Sequence, residues 1–280
     1  MRFSIITPSY RNSDWLKLCI ASVADQEGIE LEHIVQDSCS DDGTQDWLVK
    51  DSRVKAYIEK DSGMYDAVNR GFRRSKGDLL AYLNCDEQYL PGALNSVQEF
   101  FVDHPEVDVA VSDTVVTDPE GEYICHRYSL VPRANQIWVR FPVLTCSLFV
   151  RRRVVENLGI YFDTQWRALG DLFWIMEMTK QNLKMAVFPR FTSVFTDTGE
   201  NMSLQPIASK ERRLKWQMAP AWVKLLQFPL IIQYRMRLAA RGSLFQKPFE
   251  YDLYTRTNPQ TRVIRKAAKP TSFWKSRLRG

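Results

Sequence analysis

The sequence lacks the long apolar runs and the paired cysteines that mark membrane-spanning and disulfide-stabilised proteins. No stretch of its 280 residues reaches the roughly 18 consecutive apolar residues of a membrane-spanning helix. Its five cysteines are scattered and odd in number, without CxxC spacing, and its three histidines have no partner at metal-ligand spacing. We therefore expect neither a disulfide framework nor a zinc site, and we expect a reducing, cytoplasmic compartment.

Acidic residues are scarce in the last quarter of the chain. Residues 205–280 hold 17 Lys and Arg against 3 Asp and Glu, a net charge of +14, whereas residues 1–204 carry −9. This shift predicts two units: an α/β domain over residues 1–204 and a basic, amphipathic, helical extension over residues 205–280. Two prolines, Pro220 and Pro229, are expected to kink or divide the extension.

The partner of the basic extension is open at this point. Basic and aromatic residues on amphipathic segments suit the surface of an anionic membrane, to which the extension would bind peripherally. The alternative is that the extension packs on the first domain and its charge is merely solvated. Nucleic acid is excluded as the expected partner, because the body is acidic and no nucleic-acid-binding module is recognisable.

Short apolar runs alternate with helical patterns over the first hundred residues. This alternation implies parallel strand pairing through right-handed crossovers, and therefore an α/β fold with a mixed, mainly parallel sheet flanked by helices. Strands are predicted over residues 3–6, 33–36, 54–58, 79–83 and 107–112, and helices over residues 15–25, 44–49, 65–73 and from 91 onward.

Small polar residues follow the first two predicted strands. Thr7-Pro8-Ser9-Tyr10 ends the first strand, and Asp37 ends the second before a turn rich in Ser, Asp and Gly. Backbone N–H groups in such turns can contact a base or phosphate, and a carboxylate can accept hydrogen bonds from a base or a ribose hydroxyl. Ordinary turn and N-cap chemistry explains the same residue types equally well.

Two neighbouring carboxylates, Asp86 and Glu87, follow the fourth predicted strand. Open α/β sheets bind their ligands at the carboxyl ends of such strands. Carboxylates without a basic neighbour repel one another unless a cation or a polar ligand joins them. This pair therefore indicates a divalent metal and a phosphorylated substrate, although a solvated turn before Pro91 is the structural alternative.

Four segments occur in an order that is similar to family 2 glycosyltransferases with the GT-A fold. They read SIITPSY (4–10), EHIVQDSCSDDGT (32–44), DSGMYDAVNRG (61–71) and GDLLAYLNCDE (77–87). One such motif would be weak support, but four in order are specific. The resemblance is strong over residues 2–110 and looser over 140–204.

The resemblance implies a nucleotide-diphospho-sugar donor and a divalent metal, Mn²⁺ or Mg²⁺. Thr7 and Pro8 would lie against the base, Asp37 would bind the base or its ribose, and Asp61 would contact the nucleotide. The donor contacts expected in full are Thr7, Pro8, Ser9, Tyr10, Asp37, Asp61, Tyr65, Asn69, Asn84 and Asp86.

The resemblance also places Asn84-Cys85-Asp86 where the family has its Asp-x-Asp motif. Asp86 is then the leading metal ligand, and Glu87 is a second candidate. Asn84 departs from the commonest form of the motif, because it can hydrogen-bond a sugar hydroxyl but brings no charge.

An inverting transfer needs a base that deprotonates the acceptor hydroxyl. Asp171 is the candidate, because in similar enzymes an acidic residue stands at the start of this helix on the acceptor side. The same carboxylate can act only as a helix cap, worth about 1 kcal/mol. Asp163 is the second candidate for the base.

Taken together, the residues and the resemblance predict a metal-dependent, inverting transfer of a sugar to an acceptor hydroxyl of a glycan or a lipid-linked saccharide. Bacterial surface-polysaccharide assembly at the inner face of the membrane is the setting that the family implies. The alternative is a non-catalytic nucleotide-sugar-binding or scaffold protein in which Asn84 and Glu87 reflect a decayed metal site.

Overall fold

The structure is a computed structural model that describes residues 1–274, and strands alternate with helices along its first half. The strands are β1 (Arg2–Ser9), β2 (Glu30–Asp37), β3 (Lys55–Ile58), β4 (Leu79–Tyr82), β5 (Glu87–Tyr89), β6 (Val109–Thr117), β7 (Tyr123–Arg127), β8 (Leu148–Arg151), β9 (Met185–Thr196), β10 (Phe249–Thr255) and β11 (Asn258–Ala267). The helices are α1 (Ser13–Ala24), α2 (Thr44–Leu48), α3 (Met64–Arg74), α4 (Ala93–Asp103), α5 (Arg152–Val155), α6 (Gly170–Lys180), α7 (Pro206–Met218), α8 (Ala221–Leu225) and α9 (Gln227–Ala240).

The first nine strands form one mixed sheet in the order β3-β2-β1-β4-β8-β6-β9-β5, with β7 paired to β6. Strands β1 to β4 pair in parallel, and so do β6 and β9. Strand β8 joins the two halves by antiparallel pairing with β4 and β6. The parallel half brings the carboxyl ends of β1, β2 and β4 to one edge, where ligands bind in open α/β sheets.

Apolar side chains cover both faces of this sheet. Helices α1 and α4 pack on one face, and α3 and α6 pack on the other. On the second face the buried rings of Phe72, Phe162 and Trp174 stack, with the centroids of Phe162 and Trp174 4.2 Å apart. Each buried ring contributes about 2 kcal/mol of burial free energy, so this stack holds α3, α6 and the chain before α6 together.

The predicted α/β class is confirmed, and the structure adds strands that the sequence patterns did not predict. Strand β5 begins at Glu87 and runs antiparallel to β9, so the chain turns back into the sheet just after Asp86. Strand β9 is 12 residues long, and Pro189 and Arg190 interrupt the apolar pattern of its sequence.

The basic extension is helical only in its first half. Pro220 precedes α8 and separates it from α7 as expected, whereas Pro229 lies in the first turn of α9 without dividing it. The prediction of a helical extension is wrong for β10 and β11, which form an antiparallel hairpin. The last part of the predicted extension, residues 275–280, lies outside the described residues.

Both halves of the extension contact residues 1–204. The hairpin binds through Arg262, whose guanidinium pairs with both carboxylate oxygens of Asp25 at 2.6 and 2.8 Å, and Tyr254 donates to the same carboxylate at 2.8 Å. Arg241, just after α9, pairs with the buried Asp113 of β6. The boundary near residue 204 stays a prediction, and these contacts show that the extension packs on the sheet domain.

Candidate active site

A cleft of about 1030 Å³ lies at the carboxyl ends of β1 and β4. Its walls come from the loops after β1, β2, β3, β4 and β9, the start of α3, the chain before β8, the turn before α6, one side of α7, and Trp274. The site residues predicted from sequence that line it are Pro8, Ser9, Tyr10, Asp61, Tyr65, Asn84, Asp86, Glu87 and Asp171. The structure therefore brings together most of the predicted donor site and the predicted base.

The loop after β1 supplies one wall through Pro8, Ser9 and Tyr10. The Tyr10 ring is half exposed, and the ammonium of Lys60 lies 5.5 Å from its centroid. The buried hydroxyl of Ser9 has no hydrogen-bond partner in the described chain. An exposed ring beside a cation and an unused hydroxyl can receive a planar base and a polar ligand atom.

Three predicted donor contacts lie off the cleft wall. Thr7 is fully buried, and its hydroxyl shares a 2.9 Å hydrogen bond with Nε2 of His33. Asp37 is also fully buried, and its two oxygens accept hydrogen bonds from the backbone N–H and the hydroxyl of Ser40 at 2.8 and 2.6 Å. The neighbouring Ser38 lines the cleft instead.

Asn69 is the third of these residues. Its side-chain amide donates to the carbonyl oxygen of Phe162 at 2.8 Å and accepts from the N–H of Phe162 at 2.9 Å. The residue is 3% exposed, so both of its polar atoms fasten α3 to the chain that leads to α6. Asn69 therefore positions the chain that leads to α6, whereas the sequence predicted that it would contact the donor.

Asp61 and Gly63 shape the entry to α3. An oxygen of Asp61 accepts the N–H of Gly63 at 2.8 Å and closes a tight turn. Gly63 has φ of +130°, and a Cβ there would collide with the guanidinium of Arg167. Glycine at this position therefore permits Arg167 to cover the turn on the cleft side.

The turn between β4 and β5 carries Asn84, Asp86 and Glu87. An oxygen of Glu87 accepts the backbone N–H of Asn84 at 2.8 Å, and Glu87 itself is 1% exposed. Burial raises the pKa of both carboxyls, and the charge of Asp86 raises the pKa of Glu87 further. Neither carboxylate pairs with a basic side chain within residues 1–274, so no ion pair offsets the cost of burying their negative charge.

The residues of this turn fit a divalent cation only in part. No group of three or more His, Cys, Asp or Glu side chains within residues 1–274 is arranged to hold a metal. Asp86 lines the cleft, and the buried side-chain oxygen of Asn84 has no hydrogen-bond partner in the described chain. Asp86 and Asn84 therefore offer two oxygen ligands, and a phosphorylated ligand would supply others.

Asp171 stands in the first turn of α6 and also lines the cleft. It accepts the N–H of Leu172 at 2.8 Å and the hydroxyl of Tyr65 at 3.4 Å. Burial raises its pKa to about 6, against the lowering effect of these two hydrogen bonds. A carboxylate with this pKa is ionised at neutral pH and remains basic enough to accept a proton.

The surroundings of Asp171 distinguish it from Asp163. Gly170 lies so close to Tyr65 that a Cβ would meet its ring at 2.5 Å, so the glycine lets Tyr65 approach Asp171. Asp163 is exposed, caps its own turn through the N–H of Gln165 at 3.1 Å, and is absent from the cleft wall. Of the two residues predicted as candidates for the base, Asp171 lines the cleft and Asp163 does not.

Sequence patterns did not identify Glu211 of α7 as a site residue. Its carboxylate is 4% exposed and accepts the backbone N–H groups of Arg167, Ala168 and Leu169 at 2.7, 2.9 and 2.9 Å. These three residues form the turn that leads directly into Asp171. A signal was present, since Glu211 is one of only three acidic residues in residues 205–280.

Cationic residues of the cleft were also missed. They are Lys60, Arg167, Arg212 and Lys215. Single Lys and Arg residues are so common on solvated faces that nothing in the sequence distinguishes these four from their neighbours.

The fold and the cleft define an α/β protein of the GT-A class, and comparisons with known proteins assign the family. The family model described as glycosyl transferase family 2 matches residues 4–159, more than half of the chain. The chain belongs to glycosyl transferase family 2.

Two relatives show how far the similarity reaches. TuaG of Bacillus subtilis, a glycosyltransferase assigned to teichuronic acid biosynthesis, is 35% identical over 105 residues, which cover 36% of this chain and 42% of TuaG. Glycosyltransferase AglE of Haloferax volcanii is 27% identical over 190 residues, 63% of this chain and 60% of AglE. The matches thus span less than two thirds of either relative.

Solved structures share the fold. TarS of S. aureus, residues 1–349 in complex with UDP-GlcNAc, superposes with a TM-score of 0.59 at 18% identity, over 77% of this chain and 64% of TarS. The mannosyltransferase PcManGT of Pyrobaculum calidifontis, in complex with GDP-Man and Mn²⁺, gives 0.54 at 19% identity, over 75% and 60%. At these identities the likeness establishes the GT-A fold.

Within residues 1–274 no helix is both long and apolar enough to cross a membrane.

Proposed function

We propose that this protein transfers a sugar from a nucleotide-diphospho-sugar donor to an acceptor hydroxyl, with inversion at the anomeric carbon. One observation carries the proposal: the strand-end turn with Asp86 and the raised-pKa carboxyl of Asp171 line the same cleft. The cleft thus offers the unpartnered polar atoms of Ser9 and Asn84 to a nucleotide and the carboxyl of Asp171 to an acceptor. The solved relatives in complex with UDP-GlcNAc and GDP-Man support a donor of this class.

In the proposed reaction Asp171 accepts the proton of the acceptor hydroxyl. The oxygen attacks the anomeric carbon, and the bond between that carbon and the phosphate oxygen breaks as the nucleoside diphosphate leaves. A single displacement of this kind inverts the configuration. The hydroxyl of Tyr65 donates to Asp171 and orients the carboxylate.

Asp86 and the side-chain oxygen of Asn84 would hold a divalent cation, Mn²⁺ or Mg²⁺. When bound, such a cation stabilises the negative charge of the departing diphosphate as a Lewis acid. Glu87 supports the turn from inside β5, because its oxygen already accepts the N–H of Asn84. We therefore assign Asp86 the direct contact and Glu87 the supporting one.

The proposal is tested by the release of nucleoside diphosphate from purified full-length protein, with Asp171→Asn and Asp163→Asn as a matched pair. We expect Asp171→Asn to lose about 10²-fold or more in turnover while it retains donor binding, and Asp163→Asn to keep its turnover. Donor binding without turnover by the wild type on any acceptor would instead support a non-catalytic nucleotide-sugar-binding protein.

We also propose that the extension binds the inner face of a membrane, in surface-polysaccharide assembly. Leu225, Phe228, Ile232 and Met236 recur at three- and four-residue intervals and are 57–82% exposed. The exposed cations Lys224 and Arg235 flank them. Apolar side chains bordered by positive charge complement an anionic lipid surface. The five free cysteines are in keeping with a cytoplasmic location.

Sedimentation with vesicles tests the membrane contact. We expect binding to vesicles that contain phosphatidylglycerol and little binding to phosphatidylcholine alone. The pair Phe228→Ser and Ile232→Ser should weaken binding at least tenfold, whereas Val102→Ser, an equally exposed apolar residue on α4, should not. Self-association through this face, seen by gel filtration without vesicle binding, would contradict the proposal.

A further inference from the structure

One side of α7 faces the cleft next to the predicted base. Ala208, Glu211 and Lys215 are spaced three and four residues apart and therefore share a helix face. Glu211 binds the turn that leads to Asp171, so Lys215, one helical turn further on, lies on the same side of the cleft. Arg212 lines the cleft from the neighbouring position.

These cations lack acidic partners. The guanidinium of Arg212 donates at 3.0 Å to two neutral acceptors, the carbonyl oxygen of Ser203 and the hydroxyl of Ser209. Lys215 forms no ion pair within residues 1–274, and the carboxylate of Glu211 is occupied by three backbone N–H groups.

Like charges surround Lys215. Its pKa is lowered first by burial, then by the positive charges of Arg212 and Arg140. Glu200 also lines the cleft, but it makes no ion pair with these residues. Arg212 and Lys215 thus line the cleft without a carboxylate of residues 1–274 paired to either, an arrangement that an anionic ligand would stabilise.

We propose that Lys215 and Arg212 bind a phosphate group carried by the acceptor. The inference rests on the proposed transferase function and narrows its acceptor to saccharides that carry a phosphate group. Lys215 and Arg212 lie on the helix whose Glu211 holds the turn that leads to Asp171, beside which the acceptor hydroxyl must lie. The predicted donor residues Asp61 and Asp86 lie in the loops after β3 and β4. The donor's own diphosphate is a second group that these cations could bind. The experiment distinguishes binding of that diphosphate from binding of a phosphate on the acceptor.

Inorganic phosphate is titrated into the full chain, first alone and then with a saturating nucleoside diphosphate, and tryptophan fluorescence reports binding. We expect phosphate to bind in both cases. Lys215→Met and Arg212→Gln should each weaken phosphate binding about tenfold or more and leave nucleotide affinity unchanged. Arg213→Gln, an exposed cation on the next position of α7, is the matched control and should change neither affinity. Unchanged circular dichroism verifies that each variant is folded, and Lys215→Gln replaces any variant that is not.

Two results would overturn the inference. Phosphate displaced by the nucleotide, with variants that lose nucleotide affinity, would assign the cations to the donor's diphosphate. An absence of phosphate binding by the folded wild type would remove the subsite. Failure of the proposed function gives a different result: the wild-type protein then binds no nucleotide. Phosphate binding can still be measured in that case, so the two failures are distinguishable.

Discussion

The hydroxyl of Tyr65 lies 3.4 Å from Oδ1 of Asp171, although 106 residues separate them in the chain. Tyr65 belongs to the segment 61–71 that resembles a donor-binding motif, and Asp171 is the predicted base. Asn69, one turn further along α3, holds Phe162 and so brings the chain before α6 to the same place. The two halves of the predicted site are therefore joined by α3.

Activity should depend on the ionisation of Asp171. Its pKa of about 6 means that the carboxyl is protonated, and unable to act as a base, in more acidic solution. We expect kcat/KM to rise with pH through about 6 and then level off. The carboxyl of Asp171 interacts electrostatically with Tyr65 of α3, Glu211 of α7 and Glu87 of β5, and these three residues contribute to the shape of the pH profile. A profile flat from pH 5 to 8 would contradict this.

The variant Tyr65→Phe should move that profile. The hydrogen bond from Tyr65 lowers the pKa of Asp171, so its loss should shift the inflection to higher pH. The bond is long, and a shift of about half a pH unit is expected. Tyr57→Phe, on β3 and away from the cleft, is the control and should leave the inflection in place.

Asp171→Asn should stabilise the fold at neutral pH. The folded-state pKa is above the ordinary 3.8, so the protonated form is favoured on folding. This contribution is present in full below about pH 4 and is lost as the pH rises through about 6. A neutral Asn should therefore raise the free energy of unfolding at pH 8 by about 1–2 kcal/mol, measured by urea denaturation. An unchanged or lowered value at pH 8 would exclude burial as the cause of the pKa shift.

Glu211→Ala should impair turnover more than donor binding. The substitution removes the acceptor of three backbone N–H groups and frees the turn before Asp171. We expect a loss of about 2–3 kcal/mol in unfolding free energy and a fall in kcat with little change in donor Kd. Glu250→Ala, on an exposed position of β10, is the control. Equal losses in kcat and donor affinity would show that Glu211 acts on the whole cleft.

Asp25→Ala should loosen the hairpin. The carboxylate of Asp25 accepts a hydrogen bond from the hydroxyl of Tyr254, and its two oxygens pair with Nε and Nη2 of Arg262. The side chain of Arg262 is 12% exposed. We expect a cost of about 2–4 kcal/mol, because a largely buried guanidinium loses its partner. Glu27→Ala, two residues away and exposed, should cost less than about 0.5 kcal/mol. Similar stabilities for the two variants would mean that the hairpin is held by other contacts.

Local patterns were sufficient for the first half of the fold. Strands β1 to β4 are short and apolar, and they alternate with amphipathic helices, so their type follows from hydrophobic periodicity. Strand β5 has three residues and pairs with β9, and β9 contains a proline and pairs with both β5 and β6. Both strands owe their conformation to this pairing. Pairing between distant segments leaves no periodic signal in the sequence.

The site residues likewise fall into those that the sequence predicts and those that it does not. Asp86 and Asp171 were predicted because they lie in motifs that resemble a family. Glu211 was missed because a single Glu in a basic helix has the same local pattern whether it faces solvent or three backbone N–H groups. Asn69 and Asp37 show the converse, since buried polar residues within a motif can bind backbone groups of the fold itself.

The most direct test of the account is a thermal-shift panel of UDP-, GDP- and dTDP-sugars with and without Mn²⁺, on wild type, Asp86→Asn and the exposed control Asp46→Asn. A donor at 100 times its Kd should add about 2.7 kcal/mol to the wild type. The account predicts a metal-dependent rise in melting temperature with one nucleotide class, lost in Asp86→Asn and kept in Asp46→Asn. No shift with any nucleotide in folded wild type, or an unchanged shift in Asp86→Asn, would contradict it.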